Sequence, residues 1–279
     1  MASQVVRVGP VAIGGGESLA VIAGPCVIES RDSALRHAER LRAMSERVGI
    51  GLIYKSSFDK ANRTSLGTFR GIGIDEGLAI LEAVRSETGL PVLTDVHEVG
   101  QIAAVADAVD LLQTPAFLCR QTDFILAVAG AGRPVNLKKG QFLSPSEMHR
   151  VVEKARSTGN DQLLVTERGF AFGYNNLVSD MRALPVLAET GCPVVFDATH
   201  SVQRPGGQGV ASGGDRHFIA PLARAAVAAG ADAVFLEVHE DPSRALSDGA
   251  TSLALSDLPA LLDQLTAVAA AVRGALARG

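Results

Sequence analysis

One repeated couplet limits the fold more than anything else in this chain of 279 residues. A short β-branched apolar run is followed by a longer amphipathic segment, and the pattern recurs eight times. The runs are SLAVIAG (18–24), IGLIYKSSF (50–58), LPVLTDVHE (90–98), VDLLQTPAF (109–117), RPVNLKKGQ (133–141), DQLLVTERG (161–169), CPVVFDATH (192–200) and DAVFLEVHE (232–240). Helical periodicity follows each: about Asp32 to Val48, from Asp75, up to about Ala108, 122–131, after a cap at Ser144, 176–190, 217–229, and from about Ser256. Ser144, Pro145 and Glu147 form a cap, a first-turn proline and a reciprocal acid. Continuous apolar strands have both faces buried, as in a parallel sheet. Eight strand–helix units in about 250 residues predict an α/β fold, a (β/α)8 TIM barrel. A doubly wound sheet explains the regularity less well. QVVRVGPVAIGG, within residues 1–17, predicts an N-terminal β-hairpin capping the barrel bottom. No linker interrupts the chain, so 1–279 reads as one domain, and RPGGQGVASGGD (204–215) reads as a mobile loop after strand 7.

Composition narrows the function. Apolar residues make up 47%, aromatics 4%, and tryptophan is absent, so the core must be Val, Leu, Ile and Ala. The net charge of −4 gives no reason to expect nucleic acid or a membrane surface as partner. Three cysteines do not make a disulfide framework and suit a reducing compartment. No apolar run reaches the roughly 18 residues of a membrane span, and no basic leader precedes the first one. The expected location is cytoplasmic.

A barrel carries its active site at the C-terminal ends of its strands. Strand 1 leads to Cys26 and Glu29; strand 2 to Lys55, Ser57, Asp59, Lys60, Asn62 and Arg63; strand 3 to Asp95, His97 and Glu98. Strand 4 leads to Gln113 and Arg120, strand 5 to Asn136, Lys138 and Lys139, and strand 6 to Glu167 and Arg168. Strand 7 leads to Asp197 and His200, and strand 8 to Glu237 and His239. Any one of Lys55, Lys60, Arg63, Arg120, Lys138, Lys139 and Arg168 could simply pair with a carboxylate. Seven cations on one rim of an acidic protein point instead to an anionic ligand with more than one phosphate or carboxylate.

The other side of the rim differs. Closure makes strands 7, 8 and 1 neighbours, which brings together His200, Glu237 and Cys26, with Asp248 in the loop after strand 8. A thiolate, an imidazole and two carboxylates suit one divalent metal. Singly, Cys26 reads equally as a small apolar core residue, His200 as a satisfied histidine, and Asp248 before Gly249 as a turn residue. Other candidates are weaker. GIGIDEG (71–77) does not fit the dinucleotide fingerprint. Ser56 and Ser57 lack a nucleophile-elbow context. Cys192 begins a strand and is expected to be inert, Cys119 lacks a partner base, and His37, His149 and His217 read as surface residues on helices.

The rim motifs carry a resemblance. IAGPCVIES, KSSFDKANRTS, TDVHE, QTPAFLCRQTD, VNLKKGQF, TERGFAFGYNNLVSDMR, FDATHSVQRPGG, ASGGDR and FLEVHEDPSRALSDG follow one another. Over almost its whole length the chain resembles the 3-deoxy-D-manno-octulosonate 8-phosphate synthases. The related 3-deoxy-D-arabino-heptulosonate 7-phosphate synthases share the barrel and the AGPC opening. They carry a Lys-Pro-Arg-Thr-Ser-type segment where this chain has KANRTS.

The resemblance implies condensation of phosphoenolpyruvate with arabinose 5-phosphate, phosphate release, and a product used for lipopolysaccharide in Gram-negative bacteria. It implies that Lys138 and Arg168 hold the phosphoenolpyruvate phosphate, with Lys55, Lys60 and Ser57 at its carboxylate and reacting end. Asn62, Arg63 and Thr64 would hold the sugar phosphate, and Gln113 would join the substrate contacts. Many relatives have serine where this chain has Thr64, which keeps the hydroxyl. The family forms homotetramers, so Arg120 would reach a neighbouring subunit's sugar phosphate. Lys55, Lys60, Asp95 and His200 are the expected catalytic residues, with Asp95, His97 and Glu98 supporting the water and the lysines. One class of the family has asparagine in the AGPC position and works without metal; the other has cysteine and needs a divalent ion. Cys26, His200, Glu237 and Asp248 place this chain with the second, with zinc, iron(II) or manganese as candidates. Heptulosonate 7-phosphate synthesis from erythrose 4-phosphate, and a non-catalytic phosphosugar-binding barrel, are the rival expectations.

Overall fold

The computed structural model describes residues 3–63, 65–206 and 213–276. The eight runs form eight parallel strands: β1 Ala20–Gly24, β2 Gly51–Lys55, β3 Val92–Asp95, β4 Leu111–Thr114, β5 Val135–Lys138, β6 Leu163–Glu167, β7 Val194–Asp197 and β8 Ala233–His239. β8 pairs with β7 on one side and β1 on the other, so the sheet closes into the predicted barrel. The helices around it are α1 Arg31–Val48, α2 Ile74–Thr88, α3 Ile102–Ala108, α4 Thr122–Ala129, α5 Met148–Arg156, α6 Ala183–Ala188, α7 Ile219–Ala228 and α8 Leu258–Leu276. Local chemistry sets their ends. Ser30 Oγ accepts from the Ser33 amide to open α1, and Gly49, at φ 67°, closes it. The Ser144–Glu147 capping box with Pro145 forms a short 3-10 turn that leads into α5.

One expected helix is mostly something else. Instead of a helix over 176–190, Phe170–Ala171 pairs antiparallel with Leu177–Val178, and only Ala183–Ala188 is helical. The intervening Gly173 and Asn175 take positive φ, which a helix cannot use. The 3.6-residue spacing of apolar groups there comes from a small hairpin at the barrel mouth.

Alternation along each strand decides what faces inward. Ile22, Ile53, Leu93, Leu111, Leu164, Val195 and Phe235 fill the barrel's lower interior. They pack on Val6, Val8, Val11 and Ile13 of a hairpin, Val6–Val8 against Val11–Ile13, which closes the bottom as expected. The outward positions pack on the helices. Two residues further up, six strands turn polar inside, with Lys55, Asp95, Gln113, Thr166, Asp197 and Glu237 buried there, and β5 adds buried Asn136 and Lys138. Such groups persist in an interior only when they bond to one another or to a ligand. Gly24 permits this convergence, because a Cβ on it would stand 1.9 Å from the Lys55 carbonyl oxygen.

Candidate active site

A cleft of about 640 Å³ opens at the C-terminal end of the strands. That is within the roughly 300–1,000 Å³ of small-molecule sites. One wall carries the expected metal ligands. Donor atoms of Cys26, Glu237 and Asp248 lie within 4.8 Å of one another. His200 Nε2 faces them, 3.6 Å from Glu237 Oε1 and 3.8 Å from Asp248 Oδ2. Its other ring nitrogen, Nδ1, is 2.7 Å from Asp197 Oδ2, which orients the ring and leaves Nε2 for the cluster.

The loop bearing Asp248 is fastened from several sides. Asp248 sits at φ 49°, a left-handed conformation that aspartate tolerates better than most residues. Its carbonyl accepts from the Thr251 and Ser252 amides at 3.0 and 2.9 Å. Glu29, just after β1, accepts from the Leu246 amide at 2.8 Å, while its other oxygen meets His239 Nε2 at 3.4 Å. The segments carrying Cys26 and Asp248 are thereby tied together.

The donor set fits a divalent cation. Glu237 Oε2 is buried and has no partner among the described residues, although Oε1 accepts from Lys55 Nζ at 2.6 Å. Burial, then the charges of Asp248 and Glu237, push the Cys26 thiol well above its ordinary range. Alone it keeps its proton; a thiophilic cation displaces it. One sulfur, one imidazole nitrogen and two carboxylates form a mixed set suited to zinc, iron(II) or manganese.

The floor and opposite wall are cationic. Lys55 Nζ also donates to the Cys26 carbonyl at 2.9 Å. Lys60 Nζ donates to Ser57 Oγ at 2.9 Å, and Ser57 Oγ donates to Asp95 Oδ2 at 2.8 Å. Burial alone would lower the Lys60 ammonium. Negative charge at Glu237, Asp95 and Asp248 overrides it and holds Lys60 above its usual range. Burial would raise the Asp95 carboxyl, but Lys60, Lys55, His97 and Lys138 hold it far below its usual range. Lys138 Nζ donates to Asp197 Oδ2 at 2.6 Å and lies 3.7 Å from the Phe235 ring centre. Arg168 lines the cleft and donates to Gln203 Oε1 at 2.8 Å; its buried Nη1 has no partner among the described residues. Arg63 also lines the cleft. Its Nε donates to the Phe69 carbonyl at 2.9 Å, and a buried terminal nitrogen has no partner among the described residues. Buried guanidinium donors beside open space are what incoming anions would use.

Residues 3–273 match the DAHP synthetase I family. The chain belongs to that family. Three proteins named 2-dehydro-3-deoxyphosphooctonate aldolase illustrate the likeness. The chain is 58% identical to the one from Trichlorobacter lovleyi, over 96% of this chain and 98% of the relative. It is 62% identical to the one from Syntrophobacter fumaroxidans, over 91% and 88%, and 64% identical to the one from Acidithiobacillus ferrooxidans, over 87% and 86%.

In this member of the DAHP synthetase I family, Asn62, Asp95, His97 and Gln113 also line the cleft. Thr64 and residues 207–212 of the glycine-rich loop lie outside the described residues. Arg120 is exposed and does not line the cleft. Lys139, counted above with the rim cations, faces the other way. Its ammonium is 3.5 Å from Glu167 Oε2 and donates to the carbonyls of Gly140, Leu143 and Gly169, each at 3.2 Å. Glu98 also turns from the cleft, opening the 3-10 turn Val99–Gln101. His37 is buried, not on the surface: Nδ1 lies 2.7 Å from the Ser33 carbonyl, and Nε2 accepts from the Glu240 amide at 3.1 Å. Sequence reasoning gave no role to Asp197, which joins His200 to the cationic floor through Lys138. Its inward parity with Val195 was the available signal.

Proposed function

We infer that the cleft condenses phosphoenolpyruvate with D-arabinose 5-phosphate and water. The products are 3-deoxy-D-manno-octulosonate 8-phosphate and inorganic phosphate, a transferase step of lipopolysaccharide biosynthesis. The observation that carries this reading is the near full-length identity to proteins named for that product's aldolase. The cleft's chemistry supports it, with a cationic floor facing a thiol–imidazole–carboxylate wall.

In this mechanism C3 of phosphoenolpyruvate attacks the aldehyde carbon, and positive charge builds at C2. Water adds to C2, and the hemiketal phosphate collapses with C–O cleavage and loss of phosphate. Lys138 and Arg168 hold the enol phosphate, while Lys55, Lys60 and Ser57 hold the carboxylate end. Asn62, Arg63 and Thr64 hold the sugar phosphate. Bringing the two carbons together in a fixed orientation is the main contribution of these side chains. Lys60, kept charged, donates hydrogen bonds and neutralises the reactants instead of removing protons. Asp95, kept ionised, offers a fixed negative charge to the cationic centre forming at C2. At Cys26, His200, Glu237 and Asp248, a divalent cation such as zinc, iron(II) or manganese would supply Lewis acidity toward the aldehyde or a water.

A homotetramer, in which Arg120 would reach a neighbour's sugar phosphate, is supported by the exposure of Arg120 and of Phe117, Phe142, Phe172 and Tyr174. Among the described residues no helix is long and apolar enough to cross a membrane, and the proposed location is the cytoplasm.

Phosphate release tests the reaction. Phosphoenolpyruvate with arabinose 5-phosphate should release phosphate, and erythrose 4-phosphate should replace the pentose poorly. A preference for erythrose 4-phosphate would favour heptulosonate 7-phosphate synthesis; ligand binding without phosphate release would favour a non-catalytic barrel. Arg63→Ala should raise KM for the pentose phosphate about 10-fold or more, the worth of one charge-assisted hydrogen bond. KM for phosphoenolpyruvate should change far less, and equal effects on both would remove Arg63 from the sugar-phosphate subsite.

A further inference from the structure

Two buried residues that do not line the cleft act on it through a chain of hydrogen bonds. Thr166 Oγ1 donates to Asn136 Oδ1 at 2.6 Å, and Asn136 Nδ2 donates to Gln113 Oε1 at 2.9 Å. Gln113 Nε2 in turn donates to Asp95 Oδ1. Asp95, Gln113 and Asn136 are direct cross-strand partners on β3, β4 and β5, and Thr166 joins them from β6, two residues above Leu164, the partner of Asn136.

The direction of every bond is set from its ends. An ammonium only donates, so Lys60 compels Ser57 to aim its hydroxyl hydrogen at Asp95. The Asp95 carboxylate only accepts, so Gln113 must turn its amino group toward it. Gln113 must then present its carbonyl to Asn136, Asn136 its carbonyl to Thr166, and Thr166 its hydroxyl hydrogen. A primary amide is nearly symmetric in shape, and packing alone would hold either orientation of Gln113. The second N–H of Gln113 has no protein acceptor among the described residues, and Gln113 lines the cleft together with Lys60 and Lys138.

We propose that Asn136 and Thr166 are positioning residues that lock the Gln113 amide with its donor, not its carbonyl, toward the bound anion. Reversed, the amide would set its oxygen against both Asp95 and the phosphoenolpyruvate oxygens. The assignment rests on the reaction proposed above, and it gives a purpose to polar side chains placed where an apolar barrel layer would pack equally well.

The test uses the full chain with its metal. Asn136→Asp cannot donate to Gln113 Oε1 and sets a second acceptor-only carboxylate beside the amide, so the orientation with its donor toward Asp95 loses its lock. KM for phosphoenolpyruvate should rise about 10-fold or more, with KM for the pentose phosphate within about 2-fold of the parent. Thr166→Val should raise KM for phosphoenolpyruvate by about 3-fold, within the worth of a neutral hydrogen bond, and Thr166→Ser should return it to the parental value. Melting curves report folding separately, and a purely structural role would lower them without splitting the two KM values. Parental KM in folded Asn136→Asp, or equal KM in Thr166→Val and Thr166→Ser, would overturn the proposal. Should Asn136→Asp not fold, the threonine pair decides. The parent enzyme is assayed alongside. Absence of phosphate release by the parent would count against the reaction itself, whereas a working parent with indifferent variants counts only against the positioning role.

Discussion

Cys26→Ser is expected to lose bound divalent metal and nearly all turnover while keeping its fold. Serine has almost the same shape, and Ser247 Oγ, now 2.8 Å from the sulfur, can bond a hydroxyl as readily. What changes is the donor. A thiol gives up its proton to a thiophilic cation near neutral pH; an alcohol does not. Outer partners of metal ligands are already worth about 10–100-fold in affinity, so the ligand itself should cost at least about 100-fold. The measurement is metal content after dialysis, with phosphate release on the same sample. Chelation of the parent protein should reproduce the loss, and returning a divalent ion should reverse it in the parent but not in Cys26→Ser. Full turnover after chelation would sink the metal reading.

Asp197→Ala should give the largest loss of stability. The Asp197 carboxylate is fully buried and accepts from five groups: Lys138 Nζ, the His200 ring, the Thr199 hydroxyl and the Thr199 and His200 amides. Burial would raise this carboxyl, but His200 and Lys138 hold it well below its usual range. Deleting it strands a buried ammonium. Breaking one side of a buried ion pair costs about 3–5 kcal/mol, readable as a fall in the denaturant midpoint. His200 also loses the partner that fixes its ring, so metal affinity should fall by about 10–100-fold. A stability loss under about 1 kcal/mol would mean that water reaches Lys138 in the variant and replaces the carboxylate.

The barrel was legible because its strands are buried on both faces and therefore read as unbroken apolar runs. The gathering of Cys26, Glu237 and Asp248 was legible only through closure: Cys26 and Glu237 are far apart in sequence, yet cross-strand pairing sets Glu237 beside Gly24, two residues before the cysteine. Charge identity without parity misled. Lys138 and Lys139 look alike in sequence, but one step along a strand reverses the face, and the second ends among carbonyls outside the barrel. His37 was misjudged because one helical turn places it toward Glu240, a contact across the closing seam that no local pattern announces. The Thr166–Asn136–Gln113 chain stayed hidden because such residues are ordinary in isolation. Only the inward face they share across three neighbouring strands makes them one device.

The hairpin beneath the barrel has a consequence for traffic. With Val6, Val8, Val11 and Ile13 seated against the lowest interior layer, the vessel has a floor, and the cleft opens at the other end. The floor cations Lys55 and Lys138 lie deep, while Asn62 stands exposed nearer the lip. A chamber closed at its bottom favours a queue. For the condensation proposed above, this layout predicts that the molecule held by Lys55 and Lys138 binds before the one seated above it.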